Sequence, residues 1–531
     1  MTQEHVVHPF RGGMFSNALA DMIPDGWFAY VQNAEYTMVP APDGARISVK
    51  KRLGTARYNA TAYDTSADFT ALSDFWRHGV TLAPTQKLVG CAGTAIVKDD
   101  LDGAWDEIKT TWGATTTDQN ICIAQGYAVF STSNNDIPQI WNQTGNTADL
   151  NVGGTPRFTA CVYHLRRLWT VGETTSLSGA VNPSRSTYSA AGDITDFSGG
   201  DTGSFIFDDD DGDRLIGVSQ PFQERLYYFK GPNTGSLHVV YGLTPTTFVK
   251  NKLFTGLPVV AHKGIITTAS DIYWMSQYGI HSLSATLQAG KEEVHYLSYP
   301  IQDIFRGLNF TRLNQVASFS HPNRNLIGWA VPSGSGTTND TILVYNTATR
   351  MWAVWVFNGF TPGAFMVART PTTSYPRLYV GGYDGFVRAG DQTILTDDGT
   401  TAGYTFLVRS PSHARMPGKS ETQEASYQRL YTFLRPTGAF RLGVNASVDG
   451  LSQTATMDMS TGAGDLIGTT LVIGTGKIGG ASNSSIAPVP LEGRGRQIQL
   501  EYTQSGGNED AELYGYTIHY EPGEPFSTET T

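Results

Sequence analysis

Through the middle of the chain, short apolar and aromatic runs alternate with polar turns, and one unit recurs: a strand, a tight turn, then a second strand ending in aromatics. It is seen at 121–131 (ICIAQGYAVFS), 158–171 (FTACVYHLRRLWTV), 215–230 (LIGVSQPFQERLYYFK), 264–276 (GIITTASDIYWMS), 316–331 (VASFSHPNRNLIGWAV) and, more weakly, 365–380. The aromatic ends fall at Phe130, Trp169, Tyr228, Trp274, Trp329 and Tyr379, spaced by 39, 59, 46, 55 and 50 residues. Strand pairs recurring every 40 to 50 residues or so predict an all-β fold, a β-propeller with one four-stranded blade per period. Burial is the cause: an isolated four-stranded sheet leaves both faces wet, whereas blades stacked around an axis cover each other. A further unit at 68–112, with its less periodic strands around 87–97, has the same length. Counting it favours seven blades within a range of six to eight, and the uneven spacing argues against a solenoid.

Helix is scarce. The stripe Phe69, Leu72, Phe75 and Trp76 predicts a helix over 64–78, with Asp64 or Ser66 as its N-cap. A second short helical turn is expected at 301–306. The propeller rhythm stops in the stretch LTDDGTTAGY at 395–404, and alternating strands follow at 427–434, 439–448, 497–502 and 512–520. Between them, 452–486 is rich in Gly, Ser, Thr and Ala, and 526–531 reads as a loose tail. The expected division is an extended N-terminal docking segment at 1–62, the propeller at 63–395, and an antiparallel β-sandwich or barrel-like domain at 396–531.

Composition narrows the class. Of 531 residues, 58 are Gly, only 16% are charged and 11% are aromatic, which argues against disorder and against a mainly helical protein. No run of 18 apolar residues occurs, so no membrane insertion by this chain is expected, and residues 1–10, which include His5 and His8, lack the apolar core of a secretory signal. The net charge of −11 argues against a protein that grips nucleic-acid phosphates. Cys91, Cys122 and Cys161 form no CxxC pair, and each sits in a strand-like stretch as a small buried hydrophobe, not a disulfide or zinc framework.

The loudest local signal is FDDDDGD at 207–213, in which Asp208, Asp209, Asp210, Asp211 and Asp213 offer a weak candidate cation site. An EF-hand loop with Gly212 at its sixth position would start on Phe207, which supplies no side-chain oxygen, so a solvated acidic turn is the competing reading. No catalytic or cofactor-binding residues are assigned and no cofactor is expected. GxSxG, HExxH and P-loop patterns are absent, as is the sialidase Asp-box. Asp136, Asp271 and Asp384 are the candidates for a glycosidase pair, which would have to face one another across a cleft. A kelch-type Tyr345/Trp352 spacing and a Trp105-Asp106 dipeptide each occur once, without the repetition those modules need.

Several phrases, taken in order, resemble the tail nozzle proteins of short-tailed bacteriophages, a group similar to the packaged-DNA stabilisation proteins. They are FRGGMFSNALADMIPDGWFAYVQNAEY (10–36) with Asn33, the basic run KKRLGTARYN (50–59) with Gly54, NDIPQIWN (135–142), and DGDRLIGVSQPFQERLYYFK (211–230) followed by VVYG (239–242). YWMSQYGIHSLS (273–284) and TILVYNTATRMWAVW (341–355) complete the set, which spans about 10–390. The resemblance implies a propeller with an added β-domain, a structural virion protein without enzymatic activity, assembled in the host cytoplasm. It further implies a homohexameric ring at the distal end of the tail that extends the DNA channel and holds the genome until ejection. Implied partners are the tail adaptor and portal-proximal proteins, tail fibre or spike proteins, and genomic DNA that passes without sequence-specific binding. The chain is compact beside larger nozzle relatives, and 14–30 departs from their wording. A duct must let phosphates slide, so six copies at −11 each suit an acidic or neutral wall. The rival expectations are a carbohydrate-binding or carbohydrate-cleaving propeller and a receptor-binding tail spike component.

Overall fold

In a computed structural model of the chain, seven antiparallel blades follow one another at 69–109, 119–149, 157–206, 214–255, 265–296, 317–355 and 362–391; the sixth is four strands of a nine-stranded sheet, and the seventh has three strands within its own span. The structure describes residues 2–8, 10–41, 44–64, 67–78, 84–112, 118–133, 136–150, 156–175, 181–286, 291–371, 373–391, 394–399, 403–435, 437, 440–459 and 485–523. The all-β propeller expected from the period is present with seven blades. Each hairpin legible in the sequence is the inner pair of strands of one blade, and the six marker aromatics sit buried in the second strand of blades 2 to 7.

Seven separate apolar clusters fill the seven interfaces between neighbouring blades. Because side chains alternate across a strand, adjacent residues serve opposite neighbours. Tyr228 faces blade 3, whereas Tyr227 faces blade 5. The three cysteines are free and buried in these clusters, Cys91 between blades 1 and 2, Cys122 and Cys161 between blades 2 and 3. Burial pushes the Cys91 thiol up to about 12, which makes it inert packing.

The helix expected at 64–78 is instead the innermost strand of blade 1, Phe69–His78. A β-bulge between Phe69 and Ala71 breaks the period of two, and neighbouring blades bury both faces. Phe69 and Leu72 therefore pack on blade 7, while Ala71 and Phe75 pack on blade 2. That two-sided burial imitates a helical stripe. The proposed cap Ser66 lies outside the described residues, as does the tail at 526–531. A short helix, Gln302–Arg306, stands where the second helical turn is expected.

The ring closes through a distant segment. Blade 7 takes its outermost strand, Gly54–Arg57, from the N-terminal part of the chain, pairing Arg388 with Arg57 and Asp391 with Gly54. The rest of the segment expected to be a docking arm is woven into the C-terminal β-domain. Gln3–Val7, Ala34–Ala41 and Gly44–Lys51 share a sheet with Glu512–Pro522, Ala425–Leu434 and Ser485–Gly495. Tyr30–Gln32 bridges blade 6 to a second sheet built from Phe406–His413, Ile498–Gln504, Arg441–Val448 and Leu451–Asp458. One apolar core runs from the interface of blades 5 and 6 into this sandwich.

The residues of the N-terminal phrase have structural work in this junction. A Cβ on Gly12 would stand 2.1 Å from the Trp27 ring. Asn33 donates to Thr405 O at 2.8 Å and accepts from Arg52 Nε at 3.0 Å and from Val356 N at 2.8 Å. A Cβ on Gly54 would meet Thr396 O at 2.1 Å and Thr396 N at 2.7 Å, both backbone atoms that have little room to move. Gly54→Ala is expected to loosen the closing strand at a cost of about 1–3 kcal/mol, read as a lower denaturant midpoint. An unchanged midpoint would show that this strand does not hold the ring shut.

Candidate functional site

The inner strands of the seven blades converge around a central axis, which makes a concave surface where polar groups from several blades can meet. Blade 5 opens with a one-turn 3-10 helix, His262–Gly264, which places His262 and Lys263 at the N-terminal ends of the inner strands. Lys263 Nζ donates to Thr70 O, at 3.1 Å, on the inner strand of blade 1. Blades 5 and 1 lie three apart in a ring of seven, so this side chain crosses the axis. A cavity of about 150 Å³ lies beside it, lined by Thr70, Gln119, His262, Lys263 and Ser318 among others, and a smaller one of about 50 Å³ adjoins Asp118, Arg214 and Asn314.

The axial groups are held by neighbours. Asn120 Nδ2 donates to Thr159 O at 2.9 Å, Ser133 Oγ donates to Asp118 at 3.2 Å, and His262 Nδ1 accepts from Val218 N at 3.4 Å. Burial pushes His262 down to about 4, with Lys263 acting in the same direction. Burial also lowers the Lys263 ammonium, against the pull of Asp118. The arrangement suits a small polar or anionic group near Lys263 and Arg214. Among the described residues, the Lys263–Thr70 contact obstructs the propeller axis.

The acidic turn at 207–213 is engaged piecemeal. Asp208 contacts Lys252 Nζ at 2.8 Å, and Asp211 contacts the fully buried Lys230 Nζ at 2.6 Å. Asp213 accepts from the backbone N–H groups of Asn233 and Gly235, each at 2.7 Å. The Lys252 contact holds the Asp208 carboxyl below the usual range. Asp209 and Asp210 are exposed. Among the described residues, the group of three donors close enough to share a cation lies elsewhere, in the β-sandwich.

The three glycosidase candidates are dispersed. Asp136 and Asp384 lie in turns between second and third strands of blades 2 and 7, whereas Asp271 begins the second strand of blade 5, at the opposite end of its blade. Arg388 holds Asp384 with two bonds, at 2.9 and 2.6 Å. The sequence carried no sign of His262 and Lys263 as axial residues; AHKGIITT shows only a strand start, and which residues meet on an axis depends on ring closure.

No protein-family model matches the chain, and no curated protein matches it either. Among solved structures it is similar to YCF48 from Cyanidioschyzon merolae, at 10% identity and a TM-score of 0.36, covering 67% of this chain and 98% of that one. It is also similar to a catalytically inactive virginiamycin B lyase from Staphylococcus aureus solved with quinupristin, at 10% identity and a TM-score of 0.38, covering 64% and 99%. An exo-β-1,3-galactanase from Phanerochaete chrysosporium solved with galactose aligns at 8% identity and a TM-score of 0.25, covering 91% and 100%. Strand topology, independent of these likenesses, defines the propeller. No helix among the described residues is long and apolar enough to cross a membrane.

Proposed function

We propose that this chain is a structural subunit of a phage tail nozzle, a ring that extends the DNA channel of a short tail and helps retain the genome. The observation that carries the reading is the junction at which its N-terminal phrase converges. Gly12, Asn33, Arg52 and Gly54, which carry the resemblance, tie the closing blade, blade 6 and the sandwich into one piece. A part that contains pressurised DNA needs such rigidity, and the closed blades leave few exposed sheet edges. The obstructed axis is consistent with a duct formed between subunits and not through each propeller. Ring closure would repeat one heterologous interface about the symmetry axis.

Mass and symmetry test the proposal. Six copies of the 57.6 kDa chain come to about 346 kDa, and negative-stain images should show a six-fold ring with an open centre. A monomer that stays monomeric when mixed with tail adaptor complexes would overturn it. A trimer would favour a spike component instead, and a monomer that binds glycan arrays would favour the carbohydrate reading.

A further inference from the structure

Three side chains remote in sequence meet where the N-terminal strand joins the sandwich. His5 lies in the strand Gln3–Val7, Asp25 in the following loop, and His413 ends the strand Phe406–His413. His5 Nε2 is 3.2 Å from His413 Nδ1 and 3.4 Å from Asp25 Oδ1, and His413 Nδ1 is 3.0 Å from the same oxygen. Both imidazoles are buried while Asp25 is half exposed. A cavity of about 680 Å³ opens beside them, its wall including His5, Asp25, Arg11 and Arg415.

Hydrogen bonds alone serve this triangle poorly. If both ring nitrogens donate to Asp25, two N–H groups stand side by side on the His–His edge. If one nitrogen keeps a lone pair, an edge to the carboxylate lacks a proton. A single cation satisfies all three edges together. Zinc bonds of 2.0–2.1 Å to nitrogen and oxygen in tetrahedral geometry put donor atoms about 3.3 Å apart, which is the spacing found. The outer partner is also in place: His413 Nε2 lies 2.8 Å from the Tyr516 hydroxyl, so an Nε2–H donated there leaves Nδ1 as the ligand.

We propose that His5, Asp25 and His413 form a binding site for a zinc-class divalent cation, with water from the adjoining cavity as the fourth ligand. The cation would clamp strand Gln3–Val7 and the Asp25 loop to the C-terminal sandwich. The site lies apart from the propeller axis and does not depend on the ring reading.

The test uses the full chain stripped with a chelator and titrated with Zn²⁺, and with Co²⁺ as a spectroscopic stand-in. One equivalent should bind, Co²⁺ should give the visible bands of a four-coordinate nitrogen–oxygen site, and Zn²⁺ should raise the melting temperature. Losing an outer-shell partner costs roughly 10–100-fold in affinity, so Tyr516→Phe should weaken binding about 10-fold and His413→Ala at least about 100-fold. Asp25→Asn, at a half-exposed position, keeps the fold testable and should also lose at least about 10-fold. The exposed His295→Gln should bind like the parent. Binding well below one equivalent, or binding unchanged in Asp25→Asn and His413→Ala, would overturn the site.

Discussion

Arg52→Ala is expected to lower the stability of the chain by about 3–5 kcal/mol, the scale for stripping one partner from a buried ion pair. Arg52 and Asp397 are 1% and 0% exposed and make a two-pronged pair, Nη1–Oδ1 at 2.9 Å and Nη2–Oδ2 at 2.5 Å. The guanidinium also lies over Tyr404, 3.8 Å from its ring centroid, and donates to Asn33 Oδ1 and Val356 O. Removing it leaves a carboxylate with no water to receive its charge. Arg52→Lys should fail to restore the loss, since a lysine cannot supply the planar fork. The double variant Arg52→Met with Asp397→Leu should recover most of it, because two apolar groups of similar size leave no orphaned charge. Denaturant midpoints of the four proteins check this. If Arg52→Ala behaves like the parent, the junction is not the keystone assigned to it.

That junction also marks the boundary of what the amino-acid pattern discloses. The inner hairpins were legible because their chemistry is local. In blade 2, Gln125 and Gly126 take positive φ between strands of alternating apolar residues, and Phe130 marks the second strand. The outer strands are short and polar, as in Ala148–Asp149, and carry no period. Gly54–Arg57 reads only as part of a basic run in an extended segment because its strand character comes from partners at 388–391. The same distance hid Lys263, which meets Thr70 only after the ring closes, and His5, which lies 408 positions from His413. The acidic turn caught attention because its charges are contiguous, yet Lys230 and Lys252, which engage two of those carboxylates, come from later strands of blade 4. Contiguity is visible in a sequence and convergence is not.

Acid should unfold this protein earlier than its carboxylates alone would. His238, His262 and His281 are each pushed by burial down to about 4 from an ordinary value of 6.5. His281 is stacked between Trp274 and Tyr296 and bonded to Ser276 Oγ at 3.0 Å. His238 meets Ser236 Oγ at 2.9 Å beside the Phe207 ring. Below pH 6.5 the unfolded chain takes up protons that the folded chain refuses, so these groups contribute fully above 6.5 and their contribution drains away as pH falls towards 4. At 1.36 kcal/mol per pH unit, each site is worth about 3 kcal/mol at most, and the three together several kcal/mol. Burial raises Asp68, Asp74 and Asp99, which works in the opposite direction as they protonate in the folded state, whereas burial also lowers His164 and His321, which adds to the fall. Urea midpoints at about pH 7.5, 6 and 5 should fall, with most of the drop between about 6 and 5, and His281→Gln should make the profile shallower. A flat profile across that window would mean that the folded state accommodates the charged imidazoles, and the tight packing of the blade interfaces around them would need another account.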